Sequence, residues 1–194
     1  MDTLDFNAVK ERLKDTGFNP DPITISVQIP NASDLLGYGL KHYVGEGAQW
    51  LPEYDEVAEW LSDNKGRGIL CYGNCGRGKT VICGKIIPVL LNYYHHKIVS
   101  CYEAQSLNAH ADDVLSKHIV YIDDIGTESM AVKYGERRMV FSELCDLAEK
   151  KGKLLIVTTN LSLNEIAEKY GERTMDRLVA ITKRVNFSGE SLRR

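Results

Sequence analysis

A chain of 194 residues with 24 Lys and Arg against 27 Asp and Glu carries a formal net charge of −3, which excludes a polybasic protein that coats nucleic acid by charge alone. Apolar residues make up 43%, enough for one globular domain with its own core. The longest uncharged apolar stretch, Ile86 to Tyr94, is far short of the roughly 20 residues that cross a bilayer, and the acidic start Met1-Asp2-Thr3-Leu4-Asp5 lacks the charge of a secretory signal, so a cytoplasmic protein with no membrane contact is expected.

In chain order, residues 1 to about 45 read as two short helices, Phe6 to Thr16 and Ser33 to Val44, joined by a stretch bearing Pro20, Pro22 and Pro30 with an extended piece at Ile23 to Ile29. Gly45-Glu46-Gly47 reads as a hinge. Leu51 to Asn64 predicts a helix, because Pro52 suits a first turn and Val57, Trp60 and Leu61 fall at i, i+3 and i+4. Short apolar runs then alternate with helical patterns. Strands are predicted at Gly68 to Tyr72, Ile98 to Tyr102, Ile119 to Ile122, Leu154 to Thr158 and Ile181 to Phe187. Between them come helices at Lys79 to about Tyr94, Ala104 to Leu115, Glu136 to Lys150, Leu163 to Tyr170 and Glu172 to Leu178. Strands apolar on both faces and separated by helices predict a parallel sheet covered on both sides.

Three strand tips carry chemistry. Gly73-Asn74-Cys75-Gly76-Arg77-Gly78-Lys79-Thr80 fits G-x-x-x-x-G-K-[ST] between a predicted strand and a predicted helix. Glycines let such a loop aim its N–H groups at phosphate oxygens, Lys79 is placed to reach the β- and γ-phosphates of a nucleotide, and Thr80 to ligate Mg²⁺. The apolar run Ile119 to Ile122 ends in Asp123 and Asp124; in the phosphate-loop class the first acid serves the metal and the second the attacking water. Leu154 to Thr159 repeats the device with Asn160, a neutral side chain that can meet a γ-phosphate or a water without repelling either.

Asp123-Asp124-Ile125-Gly126, Thr158-Thr159-Asn160-Leu161, Tyr170-Gly171-Glu172-Arg173-Thr174-Met175-Asp176-Arg177-Leu178 and Gly189-Glu190-Ser191-Leu192-Arg193 follow the loop in an order that resembles AAA+ ATPases of the DnaC and IstB types. The former load the replicative helicase onto DNA; the latter assist transposition. The resemblance spans about Trp50 to the C-terminus. It implies a three-layer α/β phosphate-loop NTPase core of the AAA+, ASCE type, with a parallel sheet of order 5-1-4-3-2; in a departure from the family pattern, the sequence stops one residue after Arg193, so the lid is expected to be absent or truncated. It further implies Mg²⁺-dependent ATP hydrolysis, an arginine finger at Arg177 that serves a neighbouring subunit, Arg173 as the nearby second choice, and a sensor-2 arginine at Arg193. Residues 1–47 would form a short partner-binding or linker segment and 48–194 the ATP-binding domain. The implied partners are a replicative helicase or a transposase, DNA bound weakly and in an ATP-dependent way, and further copies of the chain assembled on ATP.

A small-molecule or nucleotide kinase would share the loop and first acid, but it needs an Arg-rich lid insertion that is not visible. A GTPase needs Asn-Lys-x-Asp, and Asn64-Lys65-Gly66-Arg67 fails at the fourth position. Five cysteines, Cys71, Cys75, Cys83, Cys101 and Cys145, suit reduced thiols, and Cys71 with Cys75 has no second pair to complete a zinc site. His42, His95, His96, His110 and His118 show no metal spacing, and Pro88 should kink the helix after the loop. Trp50, Leu51 and Pro52 suit either the base of a nucleotide or the core. Arg137-Arg138 and Lys150-Lys151 suit a solvated helix face as readily as a nucleic-acid contact.

Overall fold

The computed structural model describes residues 4–17, 22–128, 131–133 and 136–192. Its centre is a five-stranded sheet built from β1 (Gly68–Gly73), β2 (Ser100–Glu103), β3 (Ile119–Ile125), β6 (Leu154–Thr159) and β7 (Thr182–Phe187) in the order β2-β3-β6-β1-β7. All four pairings are parallel. With a separate hairpin of β4 (Ala131–Lys133) and β5 (Glu136–Arg138) left out of the count, this is the expected order 5-1-4-3-2.

Alternation along the strands sends neighbouring side chains to two different cores. Ile69, Cys71, Ile119, Tyr121, Leu154, Ile156, Val185 and Phe187 join one cluster, with α2 (Ala32–Val44), α3 (Pro52–Ser62) and the helix that follows the glycine-rich loop. Leu70, Val120, Ile122, Leu155 and Val157 join the other, with α6 (Ala111–Ser116), α7 (Val140–Lys151), α8 (Leu163–Tyr170) and α9 (Glu172–Ile181). Both faces of the sheet are therefore covered, as the doubly apolar strands predict.

The helix after the loop starts as α4 (Lys79–Val81), passes through a π-helical turn at Ile82–Ile86 and continues as α5 (Ile87–His95). The Ile87 N–H reaches back to Ile82 O, five residues earlier, immediately before Pro88, which has no N–H to offer. The irregularity expected from Pro88 is thus a widened turn. Two helical expectations need correction. Glu136 to Arg138 form β5, antiparallel to β4, and α7 begins only at Val140; Val140, Phe141, Leu144, Cys145 and Ala148 supply the buried stripe, whereas Glu136, Arg137 and Arg138 offer no apolar face. The stretch from Ala104 to Leu115 is split into a 3₁₀ turn at Ala104–Ser106 and α6. Ile98 is 79% exposed and lies before β2.

Helix α1 (Phe6–Asp15) is capped by the Asp5 carboxylate and buries no residue. The extended stretch that includes residues 23 to 29 behaves differently. Asn64, 3% exposed, accepts from Val27 N at 2.8 Å and donates to Ile25 O at 3.0 Å, while Ile29 N donates to Leu61 O at 2.9 Å. Val27, Ile29, Ala32, Leu36 and Leu40 are buried in the first core. Packing therefore joins residues 25 to 44 to the first core of the sheet. Among the described residues no helix is long and apolar enough to cross a membrane.

Candidate functional site

Strands β1, β3 and β6 lie side by side, so their C-terminal tips converge. The loop after β1 turns at Gly73, with φ of 109°, and enters α4 through Gly78, with φ of 87°. A Cβ at Gly73 would lie 2.7 Å from Phe187 O, and one at Gly78 would lie 2.7 Å from the Tyr54 hydroxyl, so both positions demand glycine. Lys79 is 7% exposed and donates to Gly73 O and Asn74 O, each at 2.7 Å, and to Asn160 Oδ1 at 3.0 Å. Burial lowers its pKa.

Asn160 in turn donates from Nδ2 to Asp124 Oδ1 at 2.8 Å. Asp124 has φ of 56° and sits where the β3–β6 register shifts, between Ile122 and Ile125, and its N–H donates to Thr158 Oγ1 at 2.9 Å. Burial raises its pKa, and the neighbouring Asp123 charge raises it further. Asp123 Oδ1 accepts three hydroxyls: Thr80 at 3.0 Å, Tyr121 at 2.7 Å and Thr158 at 2.6 Å. Tyr121 and Thr158 are absent from the sequence-derived site. The signal for Tyr121 is faint, a polar tip within the apolar run Ile119 to Ile122; Thr158 is visible only as the first residue of Thr-Thr-Asn.

These groups open into a cavity of about 880 Å³, a volume suited to a nucleotide. It is lined by Gly76 to Val81 with Asp123, Asp124, Thr158 and Asn160, and by an apolar set, Leu40, Val44, Ala48 and Tyr54. The apolar lining thus comes partly from α2. Trp50 does not line it: its indole donates to Asp55 Oδ1 at 3.0 Å and packs edge-on against Tyr54.

The loop is also tied from outside. Arg77 is buried, donates from Nε to Glu53 Oε1 at 2.6 Å and from Nη1 to Glu190 O at 3.1 Å. Asn74 Nδ2 donates to Gly189 O at 2.8 Å and Leu192 N to Gly76 O at 3.0 Å. The Arg77 side chain thus ties the loop to α3 and to the C-terminal tail. Cys75 is exposed, while Cys71 and Cys83 are buried with their sulfurs 3.5 Å apart.

Thr80 and Asp123 offer hard oxygens about one hydrogen bond apart, which suits Mg²⁺ held by few protein ligands together with phosphate and water. Among the described residues no group of three or more His, Cys, Asp or Glu could hold a metal by itself. Arg177 does not line this cavity: it pairs with Asp146 at 2.7 Å and Glu149 at 2.9 Å, both on α7, with its side chain 18% exposed. Arg173 is 80% exposed and 3.9 Å from Asp146. Arg193 lies outside the described residues.

A sequence profile of the novel STAND NTPase 3 family matches residues 51–191, from just before α3 to the tail that crosses the loop. The chain belongs to this family. Its fold is shared with a candidate primosome component from Streptococcus pyogenes serotype M3 (TM-score 0.53, 16% identity, 86% of each chain covered). It is shared equally with the DnaC helicase loader (0.53, 16%, 83% of this chain and 93% of the other) and with DnaI (0.53, 17%, 66% and 73%). A comparison with curated protein sequences returns no match. Membership of an NTPase family bears out the NTP-hydrolysing phosphate-loop protein expected from the motifs, and the shared folds bear out the expected α/β architecture.

Proposed function

We propose that the protein is a Mg²⁺-dependent ATPase that works as an ATP-controlled switch on a replicative helicase in DNA replication. The observation that carries this reading is the continuous chain Lys79–Asn160–Asp124, beside the Thr80–Asp123 pair, at the floor of one cavity. The loop from Gly73 to Thr80, through Asn74, Cys75, Gly76, Arg77 and Gly78, cradles the phosphates with its N–H groups. Lys79 turns from Gly73 O and Asn74 O to the β- and γ-phosphates, a move between acceptors that costs little because the charge stays partnered. Thr80 and Asp123 would hold Mg²⁺, which supplies charge neutralisation between the phosphates. Asp124 accepts a proton from the attacking water, and Asn160 aligns that water against the γ-phosphate.

Arg177 acts in trans on a neighbouring subunit's ATP, which requires it to leave Asp146 and Glu149; Arg173, far more exposed, is the second choice. Arg193 is the sensor-2 arginine. Residues 1–47 carry partner contacts in addition to the cavity lining they supply, α1 being a helix with no buried face. DNA contact is weak and ATP-dependent, because a net charge of −3 leaves little phosphate neutralisation to drive it. A helicase partner is supported by the fold shared with the DnaC helicase loader. The test is phosphate release from ATP with and without the replicative helicase of the same cell. Slow release that rises with helicase is expected; release that ignores the helicase would turn the reading toward a transposase partner, and transfer of phosphate to nucleosides toward a kinase.

A further inference from the structure

Three hydroxyls converge on one oxygen of Asp123, and they are not equivalent. Thr80 is exposed, whereas Thr158 is 1% and Tyr121 4% exposed and reach the carboxylate from inside the sheet. Thr158 also accepts the Asp124 N–H, so it holds both acids. Tyr121 donates to Asp123 from two positions earlier on β3 and hence from the same face.

The place for its ring is made by the helix opposite. A Cβ at Gly84, inside the π-helical turn, would lie 2.7 Å from Tyr121 Cε1 and 3.3 Å from the Tyr121 hydroxyl. The missing side chain at Gly84 is therefore what lets the ring lie between β3 and the helix that begins with Lys79 and Thr80. Held there, the Tyr121 hydroxyl donates to Asp123 Oδ1 at 2.7 Å.

We propose that Tyr121, seated against Gly84, is a positioning residue that fixes Oδ1 of Asp123 and so orients Oδ2 toward the water shell of a divalent cation held with ATP. The proposal rests on the ATPase reading above. A carboxylate that must meet a metal through water is sensitive to its rotation, and partners behind metal ligands commonly change metal affinity by about 10- to 100-fold when removed.

The test measures ATP affinity by calorimetry in EDTA and across a Mg²⁺ series. Tyr121→Phe keeps the ring against Gly84 and removes only the donor. It should leave the affinity in EDTA unchanged and raise the Mg²⁺ concentration for half-maximal tightening about 10-fold. Gly84→Ala keeps the hydroxyl but pushes the ring aside, and should raise the same concentration. An unchanged Mg²⁺ requirement in Tyr121→Phe overturns the proposal, as does an equal loss of affinity with and without Mg²⁺, the signature of a merely structural role. A parent protein whose ATP affinity ignores Mg²⁺ overturns the ATPase reading together with this one. A responsive parent beside an unshifted variant overturns the role of Tyr121 alone.

Discussion

Asp124 concentrates the chemistry at the scale of single residues. Its φ of 56° is uncommon for a non-glycine residue, and the bulge, the Thr158 acceptor and the Asn160 amide together hold it there. Asp124→Ala should keep Mg-ATP binding and lower turnover by about 10²-fold or more, the share of a general base, as measured by phosphate release. The pH dependence has a definite sign. Only the carboxylate accepts a proton, and burial with Asp123 nearby lifts the Asp124 pKa above the ordinary 3.8. Turnover of the parent should thus fall as pH drops through that raised value and be flat above it, and the fall should vanish with Asp124→Ala. The loop and both acids are legible in the sequence, since spacing alone encodes a phosphate cradle and a strand tip. Tyr121 and Thr158 are not, because which hydroxyls meet at Oδ1 depends on how β6 and the π turn pack against β3.

At the scale of elements, the Glu53–Arg77 pair links α3 to the nucleotide loop, with side chains 6% and 9% exposed. Tyr54 adds a hydrogen bond to Arg77 O at 3.0 Å, and the tail adds Glu190 O. Glu53→Gln leaves the guanidinium buried without its counter-charge, which costs about 3 kcal/mol at such sites and should appear as a lower midpoint in chemical denaturation. ATP affinity should fall with it, because the loop loses its brace. The core strands and α2, α3, α8 and α9 follow their sequence patterns closely, for their apolar periods are uninterrupted. The hairpin β4–β5 is hidden within what reads as the start of a helix. Lys, Glu and Arg are good helix formers in isolation, and the sequence carries no signal there for antiparallel pairing.

At the scale of the molecule, residues 25 to 44 belong to the core, and Leu40, Val44 and Ala48 line part of the cavity. Sequence alone separates them, since Gly45-Glu46-Gly47 looks like a hinge and the family match starts only at residue 51. Arg177 is the residue proposed to act on a neighbouring copy of the chain. Its partners Asp146 and Glu149 keep it off its own subunit's cavity, so a lone subunit should hydrolyse ATP slowly. A finger in trans contributes about 10³- to 10⁵-fold. Arg177→Ala subunits, with an intact pocket, mixed with Lys79→Ala subunits, with an intact finger, should recover turnover that neither has alone. No recovery, with co-assembly verified by light scattering, would assign Arg177 to its ion pairs on α7.

Binding of ATP at the Lys79 cavity is the premise of every step, and calorimetric titration of Mg-ATP into the parent and into Lys79→Ala tests it most directly. The parent should bind one ATP per chain, and the variant should lose binding while still unfolding cooperatively, because Lys79 is the cation that the loop carbonyls and Asn160 hold ready for the phosphates. A Lys79→Ala protein that binds Mg-ATP as the parent does would contradict that premise.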